Sequence, residues 1–260
     1  MTTAPPSLTR IEVALEHPIA RISLKNPNLN IIDFAMMDEL TVAFADIEAE
    51  PKLSTIVIRG EGEHFSVGVD IAVHTPGKVG TMLKKFHSVI CALVNTKKLT
   101  IGLVQGNCLG GGAELAMLCD VVITSEEATW GFPEISLGCF PPVAVTALSG
   151  IIGPKRANDM IMTGDTIVGA EASSIGLATR AVPQAQLDSG LARTIESLQK
   201  KSPAAMAIAK KAIFAWDSIN FDKGLARAEK LYLEELMKTD DAREGVEAFL
   251  EKRDPRWKGQ

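Results

Sequence analysis

The stretch VQGNCLGGGAELAMLCDVVITSEEATWGFPEISLG, residues 104–138, carries the features on which the reading of this chain turns. A β-branched run ending on glycine (TIGLVQG, 100–106) leads to Gly110, Gly111 and Gly112, which open the helical segment AELA. Glycine allows positive φ and close backbone approach, and a helix N-terminus presents unpaired N–H groups that favour negative charge. Two carboxylates, Glu114 and Glu134, lie in otherwise apolar surroundings.

A second glycine segment, HFSVGVD (64–70), follows another β-branched run, STIVIRG (54–60). Two such loops can cup one oxygen on which charge develops. Taken singly the features stay ambiguous, since triple glycine also serves close packing, Glu114 can complement a helix dipole and Glu134 can be a turn residue. A phosphate loop is poorly supported, because neither G-K-[ST] nor G-x-G-x-x-G occurs.

Outward from this stretch, IARISLK (19–25) alternates as a strand, and CDVVITS (119–125) and TRAVP (179–183) are further strand candidates. Met37, Leu40, Phe44 and Ile47 fall at helical spacing, as do Val79, Met82, Leu83, Phe86, Val89 and Ile90. Strand and helix alternate, which predicts a parallel sheet. From residue 184 the pattern is helical only, with helices over 184–201, 203–217, 220–238 and 240–251. The chain divides into a core over 1–183 and a helical oligomerisation or lid region over 184–260.

The 260 residues can bury a sizeable core. With 27 Lys and Arg against 32 Asp and Glu, net charge −5, the balance disfavours nucleic acid. Cys91, Cys108, Cys119 and Cys139 show no C-x-x-C spacing and read as reduced core thiols. The N-terminus lacks a secretory pattern and no run reaches the about 18 apolar residues of a membrane helix, so a cytoplasmic location is expected. The spacing of His64, His74 and His87 is not that of zinc ligands, and no metal is expected. Lys84, Lys85, Lys97 and Lys98 read as a solvated face, and Met160 and Met162 as core.

Together with HFSVGVDI (64–71), MTGDTIVGAEASSIGLATRAVP (162–183) and EGVEAFLEKRDPRWKG (244–259), the opening stretch resembles the enoyl-CoA hydratase/isomerase (crotonase) superfamily from about residue 10 to 258. The resemblance implies an α/β fold, a ClpP/crotonase-like spiral of ββα repeats with a C-terminal helical region. It implies acyl-CoA substrates with no separate cofactor, coenzyme A being part of the substrate, and a homotrimer or dimer of trimers.

It also implies roles for individual residues. The backbone N–H groups of Val69 and Gly111 would hold the thioester oxygen, and Glu114 and Glu134 would act on water and on the substrate carbon. Substrate or CoA contacts would fall at Val67, Gly68, Asp70, Ile71, Ala72, His74, Gly110, Pro133, Pro141 and Pro142. Phe249 and Lys258, in a neighbouring subunit, would add to the CoA site. Isomerases of the family generally need only the carboxylate matching Glu134, so retaining both favours hydration or its reverse.

After Glu134 the common family pattern resembles LGTIPGAGG, whereas this chain reads LGCFPPVAV. Pro142 replaces a glycine whose N–H faces the active-site water, and proline has no N–H to offer. Val143 and Val145 add bulk, which predicts an altered acyl pocket. SVGVDIAVHTP, the Phe86-His87 pair, CLGGGAELA and GCFPPVA together resemble the cyclohexa-1,5-diene-1-carbonyl-CoA hydratase branch. A short-chain enoyl-CoA hydratase or isomerase and a non-catalytic CoA-thioester or RNA-binding relative are the competing readings.

Overall fold

The computed structural model describes residues 8–256, and of residues 211, 212 and 214–222 the backbone alone. β1 (Ile11–Glu16) and β2 (Ile19–Leu24) form an antiparallel hairpin. Beside β2 lie β3 (Thr55–Gly60) and β4 (Leu99–Val104), all parallel. Helix α1 (Phe34–Ala49) crosses from β2 to β3, opened by the Asp33 carboxylate accepting the Met36 N–H at 2.8 Å, and α2 (Val79–Asn95) crosses from β3 to β4.

A short strand β5 (Asn107–Leu109) and helix α3 (Gly111–Met117) follow β4. Next come β6 (Val121–Ser125), β7 (Thr129–Gly131), a 3₁₀ turn Pro133–Leu137, α4 (Pro142–Ile152) and α5 (Pro154–Thr163). Strand β8 (Thr166–Val168), α6 (Gly169–Ser174) and β9 (Arg180–Val182) complete the sheets. The main sheet runs β1-β2-β3-β4-β6-β9 and the small one β5-β7-β8. The repeat is ββα: β4-β5-α3, then β6-β7-α4. In the earlier turns the second strand shrinks to single parallel bridges, Ile32 to Val69 and Ser66 to Cys108.

The run STIVIRG is apolar on both faces because both faces of a parallel sheet are covered. Ile56 and Ile58 enter the large core with α1 and α2. Val57 points the other way, joining Ile101, Leu103 and Ile123 beneath Leu187, Leu191 and Ile195 of α7 (Leu187–Gln199). The last helices are α8 (Pro203–Glu234), which contacts α2 and α4, and α9 (Asp240–Leu250), which contacts the 3₁₀ turn carrying Glu134.

Several expectations need correction. The sheet is mixed, because β1, unmarked by strict alternation, pairs antiparallel at its edge. The helices expected over 203–217 and 220–238 are one helix, α8, since the intervening Ser218 and Ile219 include neither proline nor glycine to stop it. Met162 is 66 % exposed, whereas Met160 is buried. Lys98 is buried as well, its Nζ donating to the carbonyls of Glu50 and Leu53 at 2.8 Å each. None of the four cysteines is in a disulfide, and Cys91 is only partly buried. No helix among the described residues is long and apolar enough to cross a membrane.

Candidate active site

The first loop is fixed by Ser66, whose hydroxyl donates to the Asn30 carbonyl at 2.7 Å and accepts the Gly68 N–H at 3.1 Å. Gly68, at φ +105, swings the chain so that Val69 comes against the glycines of α3. A Cβ on Gly111 would stand 2.7 Å from Val69 Cγ2 and 3.4 Å from Val69 N, so the two loops touch through backbone. Among the described residues neither the Val69 nor the Gly111 N–H donates to a backbone oxygen, whereas the Gly110 N–H donates to the Gly131 carbonyl at 2.9 Å. Two neighbouring unspent donors at a helix N-terminus suit an oxygen that gains negative charge.

Gly110 makes room for the acid. At φ +50 it is in a conformation that favours glycine, and a Cβ there would lie 2.7 Å from Glu134 Oε1. The triple glycine therefore serves close packing and the site at once.

Glu114, in the first turn of α3, is 3 % exposed. It does not simply complement its own helix. Its Oε1 accepts the Ala144 N–H at 2.9 Å, from the first turn of α4. Burial raises its pKa to about 7, while the Ala144 and Val143 N–H groups pull the other way.

Glu134 is held by the 3₁₀ turn Pro133–Leu137, with Gly138 closing the turn at φ +67. Its Oε2 is shielded from solvent and has no hydrogen-bond partner. Burial first, then the neighbouring Glu114 charge, push its pKa to about 8. The two carboxyls titrate as a pair, and the donors on Glu114 make it the member that ionises first.

Both acids border one cavity of about 90 Å³. Val67, Gly68, Val69, Ile71 and His74 line it from the first loop, and Gly110 and Gly111 from the second. Pro133, Pro141 and Pro142 line it from the segment after β7. His74 Nδ1 lies 3.1 Å from the Asp70 carbonyl, and burial lowers its pKa, which favours the neutral ring.

Other sequence candidates fall elsewhere. Asp70 caps the turn Ile71–Val73 by accepting the Ala72 N–H at 2.9 Å, Ala72 is exposed, and neither lines the cavity. Phe249, 51 % exposed at the end of α9, is also outside it, and Lys258 lies outside the described residues. Val143 is buried in the core and Val145 is exposed, so neither narrows the cavity. That narrowing falls to Phe140, Pro141 and Pro142.

Sequence reading missed Met82, Leu83, Phe86, Leu137, Phe140 and Tyr232 as cavity residues. Met82 and Leu83 were legible only as the apolar face of α2, Phe86 as that face and as part of the Phe86-His87 pair, and Tyr232 carried no signal beyond being the chain's sole tyrosine. His87 stands apart, its Nδ1 3.0 Å from Glu229 Oε2 of α8. Among the described residues no group of three or more His, Cys, Asp or Glu is placed to hold a metal ion.

The enoyl-CoA hydratase/isomerase family model matches residues 15–260. The chain belongs to that family. It is 32 % identical over 242 residues to the cyclohexa-1,5-dienecarbonyl-CoA hydratase of Thauera aromatica, covering 93 % of each chain. It is 33 % identical over 250 residues to a probable enoyl-CoA hydratase of Mycobacterium bovis, covering 95 % of this chain and 97 % of that one. Among solved structures, an enoyl-CoA hydratase/isomerase from Xanthobacter autotrophicus superposes with a TM-score of 0.85 at 28 % identity, over 97 % of this chain and all of that one. The fold is the crotonase spiral with its C-terminal helical region.

Proposed function

We propose that this protein is an acyl-CoA hydratase that adds water to, or removes it from, a conjugated acyl-CoA thioester. The observation that carries this is the pairing of two shielded carboxyls, one held by donors from α4 and one with an unpartnered oxygen, at the edge of a cavity that also borders two unspent backbone N–H groups.

The thioester oxygen sits on the N–H groups of Val69 and Gly111. Enolate charge that develops on that oxygen is stabilised there, a contribution of a few kcal/mol per donor, about 2.7–4 in a measured case. Glu114, kept ionised by the α4 donors, takes a proton from water as oxygen bonds to the β carbon. Glu134, kept protonated by burial and by the Glu114 charge, gives a proton to the α carbon. In the reverse direction Glu134 takes the α proton and Glu114 protonates the departing hydroxyl. Balance requires one proton on the pair, and like charges in a low-dielectric site supply that condition.

The substrate we favour is a cyclic dienoyl-CoA, cyclohexa-1,5-diene-1-carbonyl-CoA. The GCFPPVA segment and the similarity to the Thauera hydratase support it, as do the flat side chains of Phe86, Phe140 and the two prolines around the cavity. The similar identity to a probable enoyl-CoA hydratase makes a linear enoyl-CoA the competing substrate. Following ultraviolet absorbance of purified protein with crotonyl-CoA and with the cyclic dienoyl-CoA decides between them. Turnover of the cyclic thioester is expected, and exclusive turnover of crotonyl-CoA would refute the cyclic reading.

The reaction as proposed uses no cofactor beyond the coenzyme A of the substrate. A cytoplasmic trimer or dimer of trimers is the assembly we favour, supported by exposed Ile208 and Ile213 on α8 and by Phe249 and Leu250 at the end of α9.

A further inference from the structure

One polar group at the cavity has no part in the chemistry described so far. Tyr232, from the last turn of α8, is 1 % exposed, and its ring meets Phe140 edge-on at 5.2 Å and 70°. Its hydroxyl is shielded and has no hydrogen-bond partner of good geometry, although the Cys139 thiol lies beside it. Glu134 Oε2 is a second orphan at the same cavity. A buried polar atom left unpaired is destabilising, so two at one cavity point to a polar ligand that satisfies them.

Several of the other donors around the cavity are already engaged. Pro142 has no N–H, those of Val143 and Ala144 face Glu114, and that of Val145 donates to the Pro141 carbonyl at 2.9 Å. A carbonyl only accepts, so His74 Nδ1 is the donor toward Asp70 and the neutral ring's Nε2 is an acceptor. The Val69 and Gly111 N–H groups belong to the thioester oxygen. The first turn of α4 and His74 therefore offer the added oxygen no donor.

We propose that the Tyr232 hydroxyl donates a hydrogen bond to the oxygen that is added to or removed from the acyl chain. That oxygen is the water in one direction and the product's β-hydroxyl in the other. The proposal rests on the acyl-CoA hydratase reading. Burial, the Cys139 thiol and the two glutamates all push the phenol's pKa up, so it stays neutral and donates without acting as a base. Proton transfer remains with Glu114 and Glu134, and Tyr232 holds the oxygen between them.

Titration calorimetry on wild type and Tyr232→Phe tests this with two ligand pairs: butyryl-CoA with 3-hydroxybutyryl-CoA, and cyclohexane-1-carbonyl-CoA with 2-hydroxycyclohexane-1-carbonyl-CoA. For the pair that wild type binds, the variant should bind the hydroxylated member about tenfold more weakly and the other member within about twofold. An unchanged ratio of the two affinities would overturn the proposal while leaving the hydratase reading intact. Failure of wild type to bind any of the four would overturn the reading beneath it. Because Tyr232 is the sole tyrosine, wild type labelled with ¹³C at the tyrosine Cζ gives a single resonance, which also covers a variant that fails to fold. That resonance should shift with the hydroxylated ligand and stay in place with its partner; equal shifts with both would contradict the assignment.

Discussion

Two buried ionisable pairs flank helix α3, and they are built in opposite ways. Just beyond its C-terminus, Asp120 and Lys210 meet at 2.7 Å with both side chains 8 % exposed. Asp120 also accepts the Thr100 N–H at 2.7 Å and its hydroxyl at 2.9 Å, and Lys210 donates a further bond to the Lys98 carbonyl at 2.9 Å. Opposite charges are paired and each partner has further hydrogen bonds, the condition under which a buried ion pair is tolerated. In its first turn, Glu114 lies in the field of another acid, Glu134, which keeps one oxygen unpartnered. The satisfied pair ties α8 to the sheet, and the unsatisfied pair stores reactivity. Burial alone does not mark a functional acid; burial beside a second acid does.

The sharpest way to break this contrast is to damage each pair and ask what is lost. Lys210→Met leaves Asp120 buried without its cation and should cost about 3–5 kcal/mol of stability by urea unfolding, with kcat per folded molecule nearly unchanged. Glu114→Gln and Glu134→Gln should do the reverse, each lowering kcat for hydration by at least about 10²-fold with little loss of stability. Near-full activity in either variant would remove that residue from the chemistry.

Smaller effects sharpen the same contrast. Gly110→Ala puts a Cβ where Glu134 Oε1 now lies and should lower kcat about tenfold or more while thioester affinity changes little. The pH profile of kcat/KM should be bell-shaped. Below about 7 the pair gains a second proton and Glu114 can no longer take one from water. Above about 8 it loses the proton that Glu134 must deliver. Each limb should approach tenfold per pH unit, and a profile flat from pH 5 to 10 would rule out a one-proton pair.

Strands β2, β3, β4, β6 and β9 of the main sheet were legible, β3 and β4 because burial on both sheet faces leaves the continuous apolar runs at 54–60 and 100–106, whereas the three-residue strands β5, β7 and β8 are too short to carry a pattern. β1 was not legible either, since Leu15 is exposed and an edge strand carries only a weak pattern. The loops and both glutamates could be named from glycine placement and family resemblance. That Glu114 draws its donors from α4 could not, because the contact joins residues 30 apart across two helices. Tyr232 stayed hidden for a related reason: it reaches the cavity from a helix almost a hundred residues beyond Glu134. Val143 shows the opposite failure, in which a change in the motif points into the core.

The central claim is that Glu114 and Glu134 together add water to an acyl-CoA double bond. Turnover in H₂¹⁸O with mass analysis of the acyl product tests it most directly. The account predicts one ¹⁸O in the product hydroxyl from wild type and loss of that labelled product in Glu114→Gln. A wild-type product with a shifted double bond and no label would contradict it.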